Sequence, residues 1–183
     1  MKKGFTLPNF LKKNLGGFTL LEILVYIAVL VIVIMVISSF VVWAIKANAK
    51  TKVMRETLDN ARRAMEIMVY ETREAGDIYT PTSVFGSHPG QLSLETIEYS
   101  PEGENSTYID FYICDNRLCL KKESQAPIAL TSERVEIQKL IFERVVTDQI
   151  PSVQIDLEII YKDSTGKPEY QSSINLKSSA SLR

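Results

Sequence analysis

The chain has 183 residues, a net charge of −1 and 45% apolar side chains. That length suits one domain plus an extension, and the balanced charge gives no electrostatic argument for nucleic acid. Two cysteines and one histidine leave little material for a metal centre.

The apolar residues are unevenly spread. Lys2, Lys3, Lys12 and Lys13 make a basic start. From Ile23 to Ile45 the chain then carries no charge, proline or glycine. About 20 such residues, at about 1.5 Å each, span a bilayer core of about 30 Å. A core helix of a soluble protein would show a polar face, and only Ser38 and Ser39 interrupt this run. A cleaved secretory signal would be shorter and end at an Ala-x-Ala-like site. The lysines ahead of the run favour a cytoplasmic N-terminus, although Lys46, Lys50, Lys52 and Arg55 flank its other end equally well.

Glu22 stands at the start of this run. A carboxylate at membrane depth is costly and points to function. The plainer reading is a headgroup-level residue favoured by the helix dipole. The stretch Lys13-Asn14-Leu15-Gly16-Gly17-Phe18-Thr19-Leu20-Leu21-Glu22 decides between them. It resembles the prepilin cleavage motif of type IV pilins and type II secretion pseudopilins.

The resemblance implies cleavage between Gly17 and Phe18, N-methylation of Phe18, and Glu22 as the glutamate at the fifth mature position. A competing start at Lys2-Lys3-Gly4-Phe5-Thr6-Leu7 fails, because Pro8 and Asn9 follow where a helix and a glutamate are required. The physical sense of the motif is a new cationic amine on Phe18 that pairs with Glu22 of a neighbouring subunit. In a low dielectric that pair attracts strongly and sets axial register. The implied partners are a prepilin peptidase and methyltransferase, other pilin or pseudopilin subunits, an inner-membrane assembly platform and membrane lipid. Nucleic acid is not among them, and no cofactor is implied. The implied location is the inner membrane with the C-terminal part outside the cytoplasm, then an extracellular filament.

Beyond Ile45 the chain is charged, with no glycine or proline before Gly76. Met54, Leu58, Ala61, Met65, Met68, Thr72 and Ala75 fall on one helical face, and Gly76 suits a C-cap. One helix is therefore expected from about Phe18 to Ala75, roughly 85 Å long. Its end, Ala64–Met68 with Glu71–Gly76, also resembles W-type minor pilins and J-type minor pseudopilins. The absence of a proline partway along the membrane helix favours a minor subunit.

After Gly76 the pattern alternates. Gln91–Glu95, Thr96–Tyr99, Ile109–Ile113, Ile137–Val146 and Ile155–Tyr161 read as strands, with Leu140, Phe142 and Val146 on one face of the fourth. Pro101–Ser106 reads as a loop and Asp163–Pro168 as a turn, after which Tyr170–Leu176 pairs back. The fold class is α+β, type IV pilin-like: a long helix packed on a mainly antiparallel sheet. The expected divisions are a leader over 1–17, a membrane and filament-core helix over 18–46, its amphipathic continuation over 47–75, a β-domain over 76–177 and a frayed tail over 178–183.

With Asn116-Arg117 as a two-residue turn, Cys114 opposes Cys119 at a Cα separation of about 4.5 Å, which suits a disulfide. Free thiols, or a metal site short of ligands, are the alternatives. His88 lies in a Ser-Gly-Pro-rich loop and reads as exposed. No nucleotide-binding or nucleophile motif is present, so the chain reads as structural and not as an enzyme. The alternative function is a single-pass anchored binding or sensor module, which would need neither Gly17-Phe18 nor Glu22.

Overall fold

The computed structural model describes residues 17–97, 100, 103, 106–147 and 150–182, without the side chains of residues 147 and 150. Most of the expected leader, the competing motif at Lys2–Leu7 and most of the Pro101–Ser106 loop lie outside these residues. The chain divides into two compact units, residues 1–44 and 45–183.

Among the described residues one α-helix, α1, runs Leu20–Glu74, and eight strands follow it. β1 (Asp77–Ile78), β2 (Leu92–Thr96), β3 (Thr107–Cys114), β4 (Arg117–Lys122) and β5 (Ile128–Ala129) form an antiparallel sheet in chain order. β6 (Val135–Thr147), β7 (Ile150–Tyr161) and β8 (Ser173–Ser181) form a second one. The α+β class holds, with two sheets where one was expected. The segment before β2 covers the outer edge of β6. Gly86 and Gly90 donate backbone N–H groups to Phe142 and Leu140, both at 2.9 Å. A Cβ at Gly90 would lie 2.9 Å from the Leu140 oxygen, so this approach requires glycine. His88 is exposed as expected, yet its Nδ1 accepts the Leu140 N–H at 3.1 Å.

The core of the second unit joins α1 to both sheets. Ala61, Ala64 and Met68 are buried with Leu92, Leu94, Phe111, Leu118, Phe142, Ile155 and Leu157. The alanines bring the helix backbone close, and each large side chain contributes about 1.5–3 kcal/mol by leaving water. The buried face of α1 differs from the expected one at its start. Met54 is 53% exposed, while Val53, Thr57 and Asn60 are buried. Polar side chains occupy that face because each is satisfied there. Thr57 donates its hydroxyl to the Val53 carbonyl at 2.9 Å. Asn60 Oδ1 accepts the Ser132 N–H at 2.8 Å, and Arg63 donates to the Leu130 carbonyl at 2.7 Å. Together they fasten the β5–β6 connection to the helix.

α1 ends without the expected glycine cap. Gly76 is not left-handed, and its N–H donates to the Glu95 carbonyl at 2.9 Å, which starts the first sheet. Just before it, Glu71 is buried and pairs with Lys122 of β4 at 3.1 Å.

The β3–β4 turn is one residue earlier than expected. Asp115 and Asn116 adopt left-handed φ values of 47° and 59°, and the pairs are Cys114↔Arg117 and Tyr112↔Cys119. Asp and Asn tolerate that conformation better than arginine. The register also sets Ile113 against Leu118 and Phe111 against Leu120, where the expected one would oppose Phe111 with Lys122. Cys114 and Cys119 then lie diagonally on one face with Cα atoms 5.9 Å apart, and their sulfurs are bonded.

In the second sheet, Val153, Ile155, Leu157 and Ile159 are fully buried and alternate with polar residues. β6 changes phase at an irregularity between Ile137 and Lys139, so Val135 and Ile137 face inward before it and Leu140 and Phe142 after it. Val146, expected inward, is 59% exposed beyond the core. β8 runs past residue 177, where the domain was expected to end, and Ala180 and Leu182 are buried.

On the outer face, Asp156 of β7 bridges the neighbouring strands. Lys139 of β6 lies at 2.7 Å and Lys177 of β8 at 3.1 Å, with Asn175 Nδ2 donating at 3.2 Å. Burial raises the Asp156 pKa, but the hydrogen bonds from Lys139, Lys177 and Asn175 outweigh it and hold it below the ordinary 3.8. The folded state thus binds this proton less readily than the unfolded chain. The stabilisation is complete above the unfolded value and is lost as pH falls through the folded one. Asp156→Asn should lower stability at neutral pH, with the difference from the parent shrinking as pH falls from about 5 to about 2. Thermal unfolding of the full chain in detergent reads this, and a pH-independent difference would contradict it. Glu71→Ala should cost about 2 kcal/mol, the worth of a charge-assisted bond, because it removes the buried carboxylate that pairs with the partly buried Lys122. Denaturant unfolding of the full chain reads this, and parental stability would contradict it.

Candidate functional site

The site is built at the start of α1. Gly17, Phe18 and Thr19 precede the helix, which begins at Leu20 and not at Phe18. Thr19 is the cap. Its carbonyl accepts the Ile23 N–H at 3.2 Å, and its Oγ1 accepts the Glu22 N–H at 3.2 Å. The first is the opening bond of the helix, and the second satisfies one of the N–H groups that a helix start leaves open. Thr19 and Glu22 have the three-residue spacing of a capping box, a signal present in the sequence that the reading above did not use.

The cap fixes Glu22 in the first turn, where the helix dipole favours an anion. Glu22 is half-buried while its neighbours are exposed. The reason is Tyr26, one turn on, whose hydroxyl donates to Glu22 Oε1 at 3.2 Å. The Tyr26 ring meets Phe18 edge-on, with centroids 6.3 Å apart and planes at 74°. Phe18, Glu22 and Tyr26 thus form one cluster, and two of them, Phe18 and Glu22, were named from sequence alone. Tyr26 was not, since an aromatic residue inside an apolar run gives no polar signal until the i, i+4 geometry is known.

Gly17 lies in open space. A Cβ placed on it would meet nothing within 4 Å, and its φ is not left-handed. No contact among the described residues requires glycine there.

Beyond the cluster, the side chains from Ile23 to Trp43 are almost all exposed. By length and composition this stretch is sufficient to cross a membrane. Ser39 donates back to the Met35 carbonyl at 2.9 Å, as a serine in lipid must. Phe40 and Trp43, in ring contact at 5.9 Å, lie near the end of the run, where aromatic residues suit a membrane interface.

In the second unit, a hollow of about 600 Å³ lies beside the β7–β8 connection, lined among others by Glu136, Tyr161, Lys162, Asp163 and Gln171. Its charged groups are engaged locally: Lys162 with Glu136 at 3.3 Å, and Asp163 with the Thr165 hydroxyl at 2.7 Å. Among the described residues, no group of three or more His, Cys, Asp or Glu could hold a metal ion.

No curated protein and no solved structure matches the chain. Residues 12–44 match a family described as the prokaryotic N-terminal methylation motif, a span that contains Gly17, Phe18, Glu22 and Tyr26 and stops before the β-strands.

Proposed function

We propose that this chain is a prepilin-type precursor, cut between Gly17 and Phe18, methylated on Phe18, and built into a filament as a minor pilin or pseudopilin. The observation that carries the reading is the placement of the Gly17–Phe18 bond outside the helix, directly ahead of the Thr19 cap, with Glu22 in the first turn. A peptide bond outside the helix is open to a protease, whereas one inside the helix would first have to unwind. The motif match over residues 12–44 supports the same reading. The role is structural. The apolar run anchors the subunit in the inner membrane with the second unit outside the cytoplasm, and the disulfide suits an oxidising compartment. Prepilin peptidase, methyltransferase, an assembly platform and neighbouring subunits are the partners. The helix end over Ala64–Met68 and Glu71–Gly76 favours a W-type minor pilin or a J-type minor pseudopilin.

Docking follows from charge. Cleavage exposes an amine on Phe18, and the Glu22 carboxylate of a neighbour is its complement in a medium of low dielectric. An unpaired charge there is heavily penalised, so a subunit one step out of register is rejected.

Gly17→Leu tests processing cleanly, because the open space around Gly17 leaves the helix start undisturbed. The full-length precursor should accumulate in the membrane, and a mature mass by intact mass spectrometry would contradict the assignment. Glu22→Ala should still be cleaved but should enter filaments poorly. Normal incorporation would remove the pairing mechanism, and a native protein retaining its leader would leave only an anchored module.

A further inference from the structure

We propose that Tyr26 is a positioning residue for Glu22, holding the carboxylate ready for docking while the subunit waits in the bilayer. This rests on the docking role given to Glu22 above. Between insertion and assembly, Glu22 has no neighbour's amine to pair with. In apolar surroundings its carboxylate must find donors within its own chain or be heavily penalised. The Thr19 side chain meets Glu22 at its backbone, where Oγ1 accepts the Glu22 N–H. The carboxylate itself is met by Tyr26, whose hydroxyl donates to Glu22 Oε1 at 3.2 Å.

The geometry suits a temporary partner. A phenol is a neutral donor, whereas an ammonium brings its own positive charge and so adds Coulomb attraction to the same carboxylate. An ionised carboxylate has about four acceptor sites, so one phenol does not exhaust it. An arriving amine therefore strengthens the site without first having to break it. The bond also selects a carboxylate direction, so less side-chain freedom is lost on docking. The edge-on contact with Phe18 adds a second restraint. It ties the ring of the residue that will bear the new amine to the same side chain that holds the acid. Tyr26 thus couples the two charged partners of the joint within each subunit, although each pairs with a different neighbour.

The test uses the mature full-length chain and the conservative variant Tyr26→Phe, which keeps the ring and removes only the donor. In vesicles, solid-state NMR of the Glu22 side-chain carboxyl carbon should show a shift between parent and Tyr26→Phe. An unchanged resonance overturns the proposal, and this arm needs no filament. In cells, Tyr26→Phe should be cleaved at the parental rate and incorporated about tenfold less efficiently, the loss expected for a hydrogen bond to a charged group. Parental incorporation overturns the docking role of Tyr26. If Glu22→Ala also assembles normally, the failure belongs to the docking reading itself. If Glu22→Ala fails while Tyr26→Phe assembles, the failure belongs to Tyr26 alone.

Discussion

A single carboxylate at the head of a long uncharged run, Ile23 to Ile45, is the constraint around which the first unit is organised. An ionised group at the centre of a bilayer costs about 2.5–3.5 kcal/mol on insertion scales and more on others. The chain reduces that cost in three ways. It places Glu22 in the first turn, where backbone N–H groups face it and the dipole favours it. It occupies the cap with Thr19, so the turn does not unravel. It supplies a neutral donor one turn on, from Tyr26. The aliphatic residues that follow have no comparable demand, since lipid asks only that they be apolar. Chemical information in this unit is therefore concentrated between Gly17 and Tyr26.

The same helix meets two solvents and answers each differently. Up to Trp43 its side chains are almost all exposed, an apolar surface that water would not tolerate and lipid accepts. From Val53 onward one face lies under β-strands, and that face is not purely apolar. Thr57 and Thr72 bond back to Val53 and Met68, Asn60 reaches across to Ser132, and Glu71 meets Lys122. Each of these four buried groups on the helix has a partner, which makes it tolerable in the core and also fixes which turn of the helix meets which strand. Alanines, with no directional demands, could not specify that register.

What the sequence made legible follows from the same distinction. The apolar run, Glu22, and the alternation of Ile155, Leu157 and Ile159 were readable because each depends on local pattern alone. The start of the buried helix face was misread at Met54, because Thr57 and Asn60 look solvent-facing until their partners Val53 and Ser132 are known. The β3–β4 turn was displaced by one residue. Two registers bring Cys114 near Cys119, and the opposition of Phe111 with Leu120, not cysteine spacing, separates them. β8 was cut short because Ser178, Ser179 and Ser181 carry no strand signal, yet pairing to β7 and burial of Ala180 extend it. In each case the deciding contact exists only once the helix turn or the neighbouring strand is in place.

The match to the methylation motif ends at residue 44, the same residue at which the first compact unit ends. On the reading given above, the first unit must satisfy a membrane, a peptidase and a neighbouring helix together, and each fixes residue types at set positions. The second unit must close a core and satisfy its own buried polar groups. Many sequences meet that requirement if volume and pattern are kept, so its residues are free to differ in ways that the first unit's are not. Distinctions between one such filament and another would then be written on solvent-facing surfaces, such as the outer face of β6, β7 and β8. There Lys139, Asp156 and Lys177 pair across strands without contributing to the apolar core.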